Sequence, residues 1–148
     1  MEEALFNDLF LNMVQLMPLF RKKLGPAYDR VDRVDKILKK NQIGTVMMVG
    51  HNGQMTSTML GKCLDMKKGS LTTLIDSLEE KGFVYRERDK KDRRKTWIRL
   101  TEQGQNYRQE KYRLLKQEYA EILSNLSDKE VQELHESIVK VVNIVDKL

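Results

Sequence analysis

The chain has 148 residues, 40% hydrophobic and 33% charged, with 8 glycines, 2 prolines and one cysteine. That length suits a single domain with a real core; the lone Cys63 excludes an intrachain disulfide and a cysteine-based zinc cluster, and His51 and His135 lack ligand-like spacing. The net charge of +5 is local, since nine Lys/Arg against three acids between Lys81 and Arg99 give +6 while the other 129 residues sum to −1, a footprint suited to a polyanion.

The leading MEEALFNDLF is acidic and lacks the basic region of a signal peptide. With no run of roughly 18 apolar residues, the expectation is a cytoplasmic protein without a membrane partner. From residue 2 to 24, Leu5, Leu9, Met13, Leu16, Met17 and Phe20 recur at helical spacing, with Phe6 and Phe10 widening the stripe. A helix so apolar needs a second surface, from this chain or from another copy. It is expected to bend near Pro18 and to end at Gly25-Pro26. Residues 27 to 39 predict a second, more exposed helical segment through Val31, Val34 and Ile37 or Leu38. A buried helix follows over Gln42–Val49 (Ile43, Val46, Met47, Val49), stopped by Gly50-His51-Asn52-Gly53.

Thr56-Ser57-Thr58 offers N-cap hydroxyls to a short helix ending near Leu64 and buried through Met59, Leu60 and Leu64. After a turn at Asp65-Met66, the helix from about Lys67 to Lys81 has Leu71, Leu74, Ile75 and Leu78 on one face, and Gly82 is placed at C′. Two helices joined this way form a helix-turn-helix. Phe83–Arg88 and Thr96–Thr101 are strand-like, and DKKDRRK between them is a hairpin loop. Thr101 caps a long polar helix from Glu102 to Leu123. Ser127 and Glu130 form a capping box for a last helix, whose Val131, Leu134, Ile138, Val141, Val145 and Leu148 make an a/d seam for partner helices.

This order, helix-turn-helix then basic hairpin, describes a winged helix. On the helix from Lys67, the candidate DNA-binding residues are Lys67, Lys68, Gly69, Ser70, Thr72, Thr73 and Ser77, with Asp76 also facing outward. Small hydroxyl side chains allow close approach, donation to phosphates, or contact with base edges and thymine methyls. Position also distinguishes the loop Asp89–Lys95 from an ordinary solvated charge run, with five cations in seven residues at a hairpin tip directly after a helix-turn-helix. Arginine suits the narrow minor groove, and Asp92 is placed to orient Arg94. Cys63 is either a semi-buried apolar residue or a thiol made reactive by the nearby positive charge. The methionines grouped between Met47 and Met66 serve plastic packing or a malleable cavity.

The stretch from about Gln42 to Gly104 resembles the MarR family of winged-helix transcriptional regulators. The resemblance is carried by LIDSLEEKGFV (Leu74–Val84), Arg86, Asp89, Asp92-Arg93-Arg94 and LTEQG (Leu100–Gly104). It implies an obligate homodimer with interlaced terminal helices, a recognition helix in the major groove and a wing in the minor groove. The wing residues it implies are Arg86, Arg88, Lys90, Lys91, Asp92, Arg93, Arg94 and Lys95: Arg94 inserts, oriented by Asp92, while Lys90, Lys91, Arg93 and Lys95 meet phosphates. Many members release DNA on binding a small amphipathic compound; others sense oxidants through cysteine. Thr73 and Ser77 stand where many members have arginine. No cysteine lies in the first helix, and the ligands of zinc-responsive members are absent.

The expected fold class is therefore mainly α (α+β), with a winged helix-turn-helix at 40–103 and helical dimerisation parts at 1–39 and 104–148 of one domain. The expected function is a homodimeric, sequence-specific DNA-binding regulator, a repressor rather than an activator. Double-stranded DNA and a second copy are its expected partners, a small amphipathic ligand is a third, and no cofactor or metal is expected. The rival is a winged-helix protein-interaction module with no DNA target. An enzyme is disfavoured because no nucleophile–base pair, clustered carboxylates or phosphate loop is visible.

Overall fold

A computed structural model describes residues 2–34 and 36–148. The described elements run α1 (Glu3–Val34), α2 (Lys40–Asn52), β1 (Met55–Thr56), α3 (Ser57–Leu64), α4 (Lys68–Glu80), β2 (Val84–Arg88), β3 (Thr96–Leu100), α5 (Glu102–Leu123) and α6 (Asp128–Val145). The chain divides into two compact units, Asp29–Leu114 and Met1–Tyr28 with Leu115–Leu148.

Within the Asp29–Leu114 unit, β3 lies between β1 and β2 in an antiparallel sheet. Leu60, Ile75, Leu78, Ile98, Val46 and Val49 are fully buried where α2, α3 and α4 pack on it. Each such side chain stabilises the unit by about 1.5–3 kcal/mol, so this core holds α4 and the hairpin as one body. Lys111 of α5 is also buried, its ammonium donating to the Val31 carbonyl at 2.8 Å and lying 4.0 Å from Asp32.

The expected stop after α4 is realised in full. Gly82 adopts φ +76, its amide donates to the Glu79 carbonyl at 2.9 Å and the Phe83 amide to that of Leu78 at 2.9 Å, the paired bonds of a Schellman end. The LTEQG stretch locks onto this turn. The Thr101 hydroxyl donates to the Gly82 carbonyl at 2.5 Å and accepts from the Gly104 amide at 3.0 Å. A Cβ on Gly104 would come 2.1 Å from the Phe83 carbonyl oxygen; only glycine lets α5 start this close to β2.

Four expectations are corrected. The first helix does not end at Gly25-Pro26 but runs through Pro18 and Pro26 to Val34. Gly25 lacks the Cβ that would add to the clash with the ring of Pro26, and buried Ala27 and Val31 anchor the continuation. Of the second segment expected over 27–39, Asp35 lies outside the described residues. A third strand, β1, pairs Met55 with Ile98 and Thr56 with Trp97, and two residues are too few to show an alternating pattern. Met59 is 41% exposed, and Cys63 is exposed rather than semi-buried.

The Met1–Tyr28, Leu115–Leu148 unit has little core of its own. Leu5, Phe6, Leu9, Phe10, Met13 and Met17 of α1 are at least 47% exposed, and α6 has no buried residue. Tyr28 meets Tyr119 edge to face at 6.1 Å. Burial and the Tyr28 hydrogen bond push the Tyr119 hydroxyl's pKa upward. The α6 capping box forms as expected, with the Ser127 hydroxyl accepting from the Glu130 amide and the Glu130 carboxylate accepting from the Ser127 amide. Among the described residues, no helix is long and apolar enough to cross a membrane.

Candidate nucleic-acid interface

The helix α4, the second of the helix-turn-helix, presents Lys68, Gly69, Ser70, Thr72 and Thr73 to solvent, with Lys67 exposed at its N-cap. Its buried face, Leu71, Leu74, Ile75 and Leu78, fixes which residues these are. Thr72 donates its hydroxyl to the Lys68 carbonyl at 2.9 Å and Thr73 to that of Gly69 at 3.2 Å. Both hydroxyl protons are thus spent on the helix itself. The threonines offer methyl groups and lone pairs, a surface for thymine methyls or amino groups rather than a donor for phosphates. Ser77 is half-buried and accepts from Gln42 Nε2 at 3.0 Å, which turns it toward α2.

In the wing, Arg88, Lys90, Lys91, Arg93, Arg94 and Lys95 are exposed, and the Arg94 side chain is 97% exposed. The loop is shaped by two aspartates. Asp92 Oδ1 accepts from the Arg94 amide at 3.1 Å and lies 3.7 Å from Arg94 Nε. Asp89 does more. One carboxylate oxygen accepts from the Lys91 and Asp92 amides at 2.8 and 2.7 Å, and the other from Trp97 Nε1 at 2.6 Å. Below this, the Asp89 amide donates to the Lys95 carbonyl at 3.0 Å and closes the hairpin. The Trp97 bond, then the two amides, hold the Asp89 carboxyl below the ordinary carboxylate range.

Arg86 stands apart from the other wing cations. Its guanidinium pairs with Asp76 at 2.5 Å and with Glu79, and its amide donates to Glu79 at 3.1 Å. Although burial acts against the charge, hydrogen bonds and attraction from Asp76 and Glu79 raise its pKa above the usual arginine value. This bidentate fork ties β2 to α4, setting the angle between wing and recognition helix. An Arg86→Lys variant keeps the charge but loses the fork. The expected result is a chain that stays folded by circular dichroism but binds DNA roughly three- to tenfold more weakly, a loss of about 1 kcal/mol; unchanged affinity would discard the bracing role.

A groove of about 570 Å³ runs on the other side of the exposed face of α4, lined by Lys39, Lys40, Asn41 and Gln42 at the start of α2 and by Ser70, Thr73, Leu74, Ser77 and Lys81. Gln42 is 6% exposed and forms its floor, its Oε1 accepting from the Lys39 amide at 2.9 Å and from Lys81 Nζ at 3.4 Å. Lys81 Nζ also donates to the Ile37 carbonyl at 2.9 Å. Among the described residues, no group of three or more His, Cys, Asp or Glu side chains is arranged to hold a metal ion.

Comparison with known proteins agrees with this geometry. Residues 38–96 match the MarR family model. The matched segment runs from just before α2 to the start of β3. YcgE, an HTH-type transcriptional regulator of Bacillus subtilis, is similar to it, 28% identical over 95 residues that cover 64% of this chain and 62% of that protein. The chain matches less than two thirds of the length of that and other curated relatives. A MarR family protein of Bacillus stearothermophilus shares the fold with a TM-score of 0.77 at 20% identity, covering 99% of both chains. A cysteine-to-serine mutant of MarR from E. coli, complexed with operator DNA, has a TM-score of 0.61 at 25% identity over 93% of this chain and 97% of that one.

Beyond the motif residues of the MarR-like segment, sequence reasoning passed over the residues that brace it. Asp76 and Glu79 were visible only as polar positions on a helix, and their partner Arg86 is seven or more residues away. Trp97 read as a strand former, although an indole N–H near a strand start, with an Asp in the preceding turn, is a usable signal. Gln42, Lys39 and Lys40 had no local pattern, since α4, their counterpart, comes about 30 residues later.

Proposed function

We propose that the chain is a homodimeric, cytoplasmic transcriptional regulator that binds double-stranded DNA sequence-specifically and acts as a repressor. The observation that carries this reading is the pairing of an exposed small-residue face on α4 with an exposed cationic hairpin, joined by the Arg86 clamp to Asp76 and Glu79. In this reading α4 enters the major groove with Lys67, Lys68, Gly69, Ser70, Thr72 and Thr73 nearest the bases, and Ser77 backs them from the α2 side. Arg94, oriented by Asp92, enters the minor groove. Arg88, Lys90, Lys91, Arg93 and Lys95 meet phosphates, and Arg86 acts by positioning.

Dimerisation is supported by the exposed apolar faces of α1 and α6, and by the MarR likeness. Two-fold symmetry then calls for a pseudo-palindromic site with half-sites roughly 10 bp apart. Release by a small amphipathic ligand belongs to the same proposal. Selection from a random duplex pool, repeated across candidate small molecules, tests all three points: a palindromic consensus supports the reading, and recovery of no sequence above background overturns it.

On the selected site, Arg94→Ala is expected to weaken binding about tenfold and Lys91→Ala only two- to threefold, because a minor-groove arginine senses a deeper negative potential than a lysine on the backbone. Equal losses in a gel-shift titration would remove the special role of Arg94.

A further inference from the structure

The groove between the start of α2 and one flank of α4 lies apart from the wing, and it is built rather than incidental. Its lining residues include three lysines and no carboxylate. Its floor is tied together by buried Gln42, which joins the Lys39 amide, Lys81 Nζ and the Ser77 hydroxyl. Lys81 is held further by the Ile37 carbonyl. Three cations and no carboxylate around a braced hollow give it a positive potential that favours an anion.

The position identifies the anion. Around α4, Ser70, Thr73 and Ser77 line the groove, while Asp76 and Glu79 face β2 through Arg86. On a 100° helical wheel Gly69 falls between these two flanks, with Thr72 on the Arg86 side and Thr73 on the groove side. A duplex whose major groove takes up α4 has one sugar–phosphate strand on each side of the helix. The wing serves one strand. We infer that the Lys39–Lys40–Lys81 groove receives a backbone phosphate of the other, extending the DNA footprint to α2 and fixing how deeply α4 sits. This rests on the proposed DNA-binding function. Thr73 belongs to both surfaces, so the phosphate held here sets the register of that threonine against the base edges.

The test uses the full-length protein and a Lys39→Gln/Lys40→Gln variant, which leaves the Gln42–Lys81–Ser77 bracing in place. Binding to the selected duplex and to a random duplex is followed by fluorescence anisotropy across a salt series. The variant should bind both duplexes roughly tenfold more weakly, and its slope of log K against log salt should fall by about one for each phosphate lost per subunit. A duplex with a neutral methylphosphonate at the contacted position should weaken the wild type equally and make the variant's extra loss vanish. An unchanged slope in the variant overturns the inference while leaving the DNA-binding reading intact. Inorganic phosphate shifting the Lys40 and Asn41 amide resonances, with DNA slopes equal in both proteins, assigns the groove to a free anion and also overturns it. Absence of salt-sensitive DNA binding in the wild type sinks the broader reading with it.

Discussion

An Ile138→Glu substitution is expected to leave the chain monomeric and to abolish measurable operator binding. Ile138 lies mid-way along α6, 39% exposed, with Leu134 at 36% and Val141 at 50% on the same seam. No residue of α6 is buried within one chain. A stripe this apolar facing water is costly, since each square ångström of apolar surface removed from water gives about 25 cal/mol. A carboxylate placed in the covered seam costs several kcal/mol unless paired. Self-association should therefore fall by three or more orders of magnitude. DNA affinity should fall at least a hundredfold, because a monomer engages one half-site. Lys140→Glu, on the polar side of the same helix, is the control. Sedimentation equilibrium that still shows a dimer for Ile138→Glu would remove α6 from the interface.

Asp89→Ala should have the next largest effect, through loop order rather than lost charge contact. One carboxylate accepts from two amides and from the indole of Trp97, the single tryptophan of the chain. Without it the amides of Lys91 and Asp92 lose their acceptor, and the five loop cations are no longer presented from one fixed turn. Operator affinity is expected to drop roughly ten- to fiftyfold, although the substitution removes a negative charge and so should strengthen simple attraction to DNA. A gain in affinity would show that the wing acts only as a cloud of charge. The thermal unfolding midpoint should move little, because the core of Leu60, Ile75, Leu78 and Ile98 is untouched.

The same pair predicts a pH dependence. The folded-state pKa of Asp89 is depressed, so its contribution to loop order is complete above the unfolded value near 3.8 and is lost as pH falls through the lower folded value. Trp97 fluorescence should therefore stay constant from neutral pH down to about 4 and change only below it. In Asp89→Ala that acid transition should disappear.

The patterns carried by local spacing were legible without a structure. The buried face of α4 follows from Leu71, Leu74, Ile75 and Leu78, its end from Gly82, the start of α6 from Ser127 and Glu130, and the hairpin from two β-rich runs around DKKDRRK. These features lie within one or two turns of chain, where propensity and capping decide the outcome. Part of the MarR-like pattern also proves architectural, since Gly82, Thr101 and Gly104 hold α4, β2 and α5 together.

Only the tertiary structure decided which polar residues are free to meet a partner. Arg86 and Arg94 are both wing arginines in the sequence, yet one is clamped by two carboxylates and the other is 97% exposed. Ser77 and Thr73 are both small hydroxyl residues of α4, yet Gln42 from α2 claims Ser77. Lys39 and Lys40 gain significance only because α4 forms the opposite wall of their groove. Pro26 looked like an end and is not, because Gly25 lessens the clash with its ring and the burial of Ala27 and Val31 favours continuing. The common cause is physical: spacing along the chain determines which face of an element is apolar, but the partner of a polar group is set by whatever the fold brings within about 3 Å of it.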